Sequence, residues 1–283
     1  MVQLYLSYEG GSSSVINTEQ LVTRSSLVQD FKKLGVQKGM TVIVHTSLSK
    51  MGWVCGGAVA VVQALMDVVT EEGNLIMPTH SAELSDPAGW GNPPVPKEWW
   101  ETIRSEMPAF DPAISPTYFM GAVAEVFRTF PGVIRSNHPT VSFAAWGKDK
   151  EWITGNHSLD NGLGESSPIA RIYDLDGSIL LIGVGHDSNT SMHLAEYRVP
   201  GQKQVEEESP VIESGQRIWK TYKQIEYQEE LFEEIGRQYE ENYGQEIKIA
   251  GAGSATCRLM KQKKLVDFTE NWLKKNIQMS SPM

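Results

Sequence analysis

Thr41-Val-Ile-Val-His45, Gly56-Gly57, Ala58-Val-Ala-Val-Val-Gln-Ala-Leu-Met-Asp-Val-Val69 and Asn74-Leu-Ile-Met-Pro78 decide the fold class. The first and last runs are short and apolar, as strands buried on both faces are. Between them a glycine pair opens an apolar stretch of helical length, which Gly73 ends. Strand, helix, strand within about forty residues is a βαβ unit, so the first two strands should lie parallel.

Outward from that unit the rhythm continues. Thr18 can cap a helix that runs to Leu34 and stops at Gly35. Helices are expected at Gly121 to Arg128, Lys148 to Thr154, Pro168 to Tyr173, Glu229 to Tyr239 and Leu265 to Lys275. Ser142-Phe-Ala-Ala-Trp146 and Ser178-Ile-Leu-Leu-Ile182 read as strands. Glu206 to Tyr227 alternates polar and apolar residues, which suits antiparallel strands, and Glu246 to Cys257 is a strand with Gly251 and Gly253 near a turn. Residues 81–119 break the pattern with clustered prolines and with Trp90, Trp99 and Trp100. They read as a long ordered insertion with one short helix from Lys97 to Met107. The expected architecture is a single α/β domain over 17–275. It has a mixed central sheet, helices on both faces, the Pro/Trp-rich insertion and an antiparallel C-terminal part. A flexible lead-in, 1–16, and a tail, 276–283, flank it.

Composition narrows the function. A net charge of −10 argues against a nucleic-acid partner, which needs clustered Lys and Arg, and weakly favours a cationic ligand. No apolar run is long enough to span a bilayer, and the N-terminus lacks a signal-peptide pattern. Two cysteines, Cys55 and Cys257, make no disulfide framework, so a cytoplasmic protein is expected.

Three segments carry chemistry. Gly183-Val-Gly-His-Asp-Ser-Asn-Thr-Ser-Met-His-Leu-Ala-Glu196 follows a strand and supplies two His, one Asp and one Glu. His193 and Glu196 are three apart, so on a helix they share one face, where a carboxylate can fix the imidazole tautomer and keep it basic. His45-Thr-Ser-Leu-Ser-Lys-Met-Gly-Trp-Val-Cys-Gly-Gly57 takes a strand through a hydroxyl-rich loop into a helix N-terminus, a natural anion site. Its spacing is neither that of a P-loop nor that of a dinucleotide fold. Cys55 sits where a helix dipole would favour a thiolate. Asn137-His-Pro-Thr-Val-Ser-Phe143 places His138 either on a ligand or against the backbone. His80 and His157 lie in polar loops. His186 and His193 match no zinc spacing, so no metal is expected.

Taken in order, these pieces resemble the aminoglycoside 3-N-acetyltransferase family, especially its Bacillus-type members. The resemblance rests on Val44 to Ala58, Glu71 to Thr79, Leu84-Ser-Asp-Pro87, Arg135-Ser-Asn-His-Pro139, Ser142 to Gly147, Leu163 to Pro168, His193 to Glu196 and Gly253 to Leu259, and it runs from about residue 17 to 274. It implies acetyl transfer from acetyl-CoA to the 3-amino group of a 2-deoxystreptamine ring. It further implies that Thr46, Ser47, Leu48, Ser49, Val54, Gly56 and Gly57 hold coenzyme A, with Ser142 and Phe143 on the same channel. His193 would be the base, Glu196 its support, and His45 a neighbour of the reacting centre. Asp86, Glu125 and Asp187 are the candidates for holding the antibiotic's ammonium groups. His186 has no role assigned by the resemblance. The alternative activity is acetylation of a different amine metabolite on the same fold. The Trp-rich insertion and the C-terminal helix are candidate dimer contacts.

Overall fold

A computed structural model describes residues 21–278. Nine strands run in chain order as β1 (Thr41–Thr46), β2 (Asn74–Pro78), β3 (Ile134–Arg135), β4 (Phe143–Gly147), β5 (Ser178–Ile182), β6 (Gln204–Glu213), β7 (Gln216–Ile225), β8 (Lys248–Ala252) and β9 (Ala255–Lys261) among the described residues. The helices are α1 (Arg24–Leu34), α2 (Gly57–Val69), α3 (Trp100–Glu106), α4 (Gly121–Phe127), α5 (Lys150–Thr154), α6 (Pro168–Asp174), α7 (His193–Arg198), α8 (Phe232–Tyr243) and α9 (Gln262–Gln278).

Seven strands form one sheet in the order β3-β4-β2-β1-β5-β9-β8. β1 pairs parallel with β2 on one side and with β5 on the other; the outer pairings are antiparallel. The βαβ unit expected from the sequence is thus β1-α2-β2. Side chains alternate across a strand, and the two cores show it. Val42, Val44, Leu75, Met77, Leu180 and Ile182 face α1, α2 and α4, whereas Ile43, Ile76, Ile179 and Leu181 face α5 to α9. Both faces of the central strands are therefore dry, which is why they read as unbroken apolar runs.

Thr23, not Thr18, caps α1: its hydroxyl accepts from the Ser26 N–H while the Ser26 side chain serves the Thr23 N–H, a reciprocal box. Thr18 lies outside the described residues, as do the lead-in and residues 279–283. Gly35 ends α1 at φ 102°, as expected. At the other terminus α9 continues to Gln278, beyond the expected stop at Lys275.

The insertion is ordered and tied down. Asp86 and Arg104 form a bidentate pair at 2.8 Å, and the Tyr118 N–H donates to the His80 carbonyl at 2.7 Å. Its far side rests on the β6–β7 hairpin, where Arg217 donates to the Met107 carbonyl and the Phe110 N–H donates to that of Pro210. That hairpin is the second, two-stranded sheet.

Two buried histidines fasten the segment behind β4. His138 Nδ1 accepts from the Thr140 and Val141 N–H groups, so Nε2–H donates to the Leu159 carbonyl. His157 Nε2 donates to the Gly162 carbonyl at 2.6 Å, and its Nδ1 meets Ser136 Oγ at 2.9 Å. These contacts use the neutral ring. Burial holds His138 well below the ordinary imidazole range and pushes His157 down to about 4. His138 is thus a backbone clasp rather than a ligand contact.

Two outcomes are expected. A Cβ at Gly147, where φ is 122°, would meet the Gly73 carbonyl oxygen at 2.0 Å. Gly147→Ala should therefore destabilise the fold by roughly 1–3 kcal/mol in urea titration. Because the folded chain holds these histidines neutral while the unfolded chain protonates near pH 6.5, protons bind preferentially to the unfolded state below that pH. Stability should be fully present above about pH 6.5 and fall towards pH 4, by on the order of 1 kcal/mol per pH unit for each histidine. His157→Gln should flatten that fall in pH-dependent denaturation.

Candidate active site

β1, β2 and β5 run the same way, so their C-terminal ends open on one edge of the sheet. The chain leaving β1 forms α2 on one face, and the chain leaving β5 forms α7 on the other. A crevice must open where the crossovers part, and open α/β sheets bind ligands there. A cleft of about 1200 Å³ occupies the place.

One wall is the loop after β1. The Ser47 N–H donates to the Ile182 carbonyl, and the Cys55 N–H to that of Val22, so both ends of the loop are pinned. Gly56 and Gly57 take φ of 85° and 55° and turn the chain sharply into α2. The first turn of α2 then directs its dipole towards the cleft. Thr46, Ser47, Leu48, Ser49, Val54 and Gly57 all line it. Gly56 is not on the lining; it supplies the turn. Ser142 and Phe143 are a correction: both are fully buried behind the wall and do not line the cleft. Ser142 Oγ donates to the Thr79 carbonyl and accepts from Arg135, while Phe143 packs edge-on against His80 at 5.4 Å. They support the wall from behind, Phe143 as the first residue of β4 and Ser142 just before it. Cys55 is exposed and off the lining, and burial pushes the Cys257 thiol up to about 12.

The other wall carries His193, the first residue of α7. Its Nδ1 lies 2.6 Å from Glu196 Oε2, the one-turn contact expected from the spacing. Glu196 is 1% exposed, and its second oxygen accepts the Gln228 N–H at 2.7 Å. With Nδ1–H committed to this carboxylate, Nε2 is the nitrogen that faces the cleft. A second carboxylate waits there: Glu229 Oε1 stands 3.4 Å from Nε2. The rings of Tyr227 and Phe232, at 4.5 and 4.8 Å, exclude water around the imidazole. Burial pushes the His193 pKa down, but the bonds to Glu196 and Glu229 outweigh it and hold the pKa above the ordinary imidazole value. The same contact with His193 holds the Glu229 carboxyl below its usual range. The sequence places Glu229 at the start of a helix and not among the site candidates, because it follows the β6–β7 hairpin; only the fold brings it to His193.

His45 and His80 also line the cleft. Burial first, and the nearby His193 second, push each down to about 3, so both stay neutral. Neither Nε2 has a hydrogen-bond partner. His45 thus sits near His193; His80, read as a loop residue, joins it because the chain leaving β2 ends on the same edge.

His186 is structural. Its ring is buried against Gly236 of α8, where a Cβ would come within 2.0 Å, and Nε2 meets Glu240 at 3.0 Å. Asp187, its neighbour, is exposed on the cleft lining. Asp86 and Glu125 are not on that lining and are a further correction. Asp86 is committed to Arg104 and caps the Ala88 N–H; Glu125 binds Arg128 and the Thr117 N–H. Their charges are already used inside the protein.

Residues 43–274 match the family described as aminoglycoside 3-N-acetyltransferase. The chain belongs to that family. It is an acetyltransferase, and three relatives frame it. The SPbeta prophage-derived aminoglycoside N(3')-acetyltransferase-like protein YokD of Bacillus subtilis is 52% identical over 90% of this chain and 93% of its own. The crystal structure of YokD superposes with a TM-score of 0.93, at 50% identity over 95% of this chain and 99% of that one. AAC-IIIb, solved as a binary complex with CoASH, gives 0.81 at 29% identity over 93% and 100% of the two chains. AAC-VIa, solved bound to sisomicin, gives 0.82 at 31% over 91% and 99%. Among the described residues, no helix is long and apolar enough to cross a membrane.

Glu229→Gln removes one of the two carboxylates that charge the acetyltransferase's imidazole. The His193 pKa should then fall towards the ordinary 6.5, read as a shift of its ring proton resonances in an NMR pH titration.

Proposed function

We propose that this chain transfers acetyl from acetyl-CoA to the 3-amino group of a 2-deoxystreptamine aminoglycoside, with His193 as general base. The observation that carries the reading is the buried 2.6 Å contact between His193 Nδ1 and Glu196 in a cleft whose opposite wall is a helix N-terminus. The CoASH complex of AAC-IIIb and the sisomicin complex of AAC-VIa, on the same fold, support the two ligands.

The chemistry follows from the geometry. An ammonium group must lose a proton before its nitrogen can attack. Neutral His193, its Nδ1–H held by Glu196, offers the Nε2 lone pair for that proton. The amine nitrogen then bonds to the thioester carbonyl carbon, and the carbonyl electrons move to oxygen. Collapse breaks the C–S bond and restores the carbonyl; the sulfur takes the proton held on Nε2, the nitrogen releases its second proton to solvent, and a neutral amide and the free thiol are left. A raised imidazole pKa brings base and ammonium closer, which eases the first transfer. Glu196 prevents the ring from turning and stabilises the imidazolium. Coenzyme A occupies the Thr46–Gly57 loop, where the α2 dipole favours phosphate charge. Glu229 and Asp187 give the other wall the negative charge that a polycationic acceptor requires. Proton abstraction of this type contributes roughly 10²- to 10⁴-fold in rate. No metal enters the scheme.

Thiol release from acetyl-CoA tests this with sisomicin, gentamicin and neomycin. His193→Ala should lower drug-dependent release by roughly 10²- to 10⁴-fold without weakening coenzyme A binding. The wild-type kcat/KM should rise with pH through an inflection above the ordinary imidazole value of about 6.5, since the base acts only when neutral. Release with another amine, and with none of the drugs, would reassign the acceptor and keep the transferase.

A further inference from the structure

Phe119 is 87% exposed, yet it lines the cleft. Its φ is 56°, in the left-handed region that an aromatic residue rarely adopts. Among the described residues, Thr70, Asn156, Asn161, Asp176 and Ser214 also have a positive φ, but all are polar; Phe119 is the aromatic one. An exposed ring forgoes burial, and a left-handed backbone adds strain. Such strain persists where surrounding contacts impose it, and it clusters at ligand sites.

The surrounding contacts are visible. The Thr117 N–H donates to Glu125, and the Tyr118 N–H to the His80 carbonyl, so the chain before Phe119 is fixed. Gly121 follows at φ 80°, and its Cβ position would lie 3.6 Å from the Thr46 carbonyl. The ring of Tyr118 braces Phe119 edge-on at 4.4 Å. The ring is thus held at the opening of the cleft, on the side where β1 passes into the Thr46–Gly57 loop.

The carboxylates on the lining, Asp187 and Glu229, come from the chain after β5 and after the hairpin. The lining residues beside Phe119 are different in kind: Met120 and Ala122 along the chain, and Thr46 next to Gly121, offer hydroxyl and apolar groups. An aromatic face there fits a flat, neutral heterocycle better than a charged amino sugar. We infer that Phe119 is a stacking platform for the adenine of coenzyme A, setting donor affinity at the solvent-exposed end of the cofactor. The inference rests on coenzyme A being the donor.

Calorimetric titration with coenzyme A, with pantetheine and with sisomicin separates the outcomes. Base stacking on an aromatic ring accounts for roughly 5- to 100-fold in affinity. Phe119→Ala should weaken coenzyme A by that much, leave pantetheine and sisomicin unchanged, and Phe119→Trp should restore it. Phe119→Gly should weaken coenzyme A likewise while raising the melting temperature, because glycine accepts φ 56° without strain. A merely structural role would lower both. Unchanged coenzyme A affinity in Phe119→Ala overturns the inference, as does equal weakening of coenzyme A and pantetheine, or a loss confined to sisomicin. Wild-type protein that binds no coenzyme A overturns the donor assignment itself.

Discussion

The parallel pairing of β1 with β5, Val44 opposite Leu180 and His45 opposite Leu181, is the constraint on which the site depends. It makes the two strands end together at Thr46 and Ile182. It also puts their crossovers on opposite faces, so a crevice opens between α2 and α7. A slip of one residue would turn His45 from the α7 face to the α2 face and bury an apolar side chain among polar groups. The dry cores on both sides of the sheet forbid that slip, so packing energy and site geometry are the same specification.

Charge is distributed within this frame with little redundancy. Four histidines near the cleft wall are held neutral by burial, His45, His80, His138 and His157, and one is held basic by carboxylates. The difference is local. His193 has Glu196 one helical turn away and Glu229 beside its Nε2, whereas the others face carbonyls, hydroxyls or nothing. Among these histidines His193 alone is held above the ordinary imidazole range, because carboxylates rather than carbonyls face its ring.

The insertion and the hairpin form the periphery of the cleft. Arg217 and Phe110 join them to each other, and the Tyr118 N–H joins the insertion to the chain leaving β2. Through these bonds the position of Phe119 is tied to the central sheet, although the segment has little regular structure.

Periodicity in the sequence determined the βαβ unit, the helices on both faces and the hairpin, because apolar spacing records which faces must be dry. It also determined the His193–Glu196 contact, since residues three apart on a helix must share a face, and the loop of small and hydroxyl residues before α2. The helix start was misread at Thr18 because Thr18 and Thr23 offer the same capping chemistry. Tertiary structure alone decided the rest. Glu229 and His80 join His193 only because strands far apart in sequence end on one edge. Asp86 and Glu125 are removed from the site because Arg104 and Arg128 reach them first. Ser142 and Phe143 support the cleft from behind because Ser142 is bonded to Thr79 and Arg135 and Phe143 packs against His80. A local pattern fixes what a segment must bury; which carboxylate finds which partner depends on distances that only the packed chain sets.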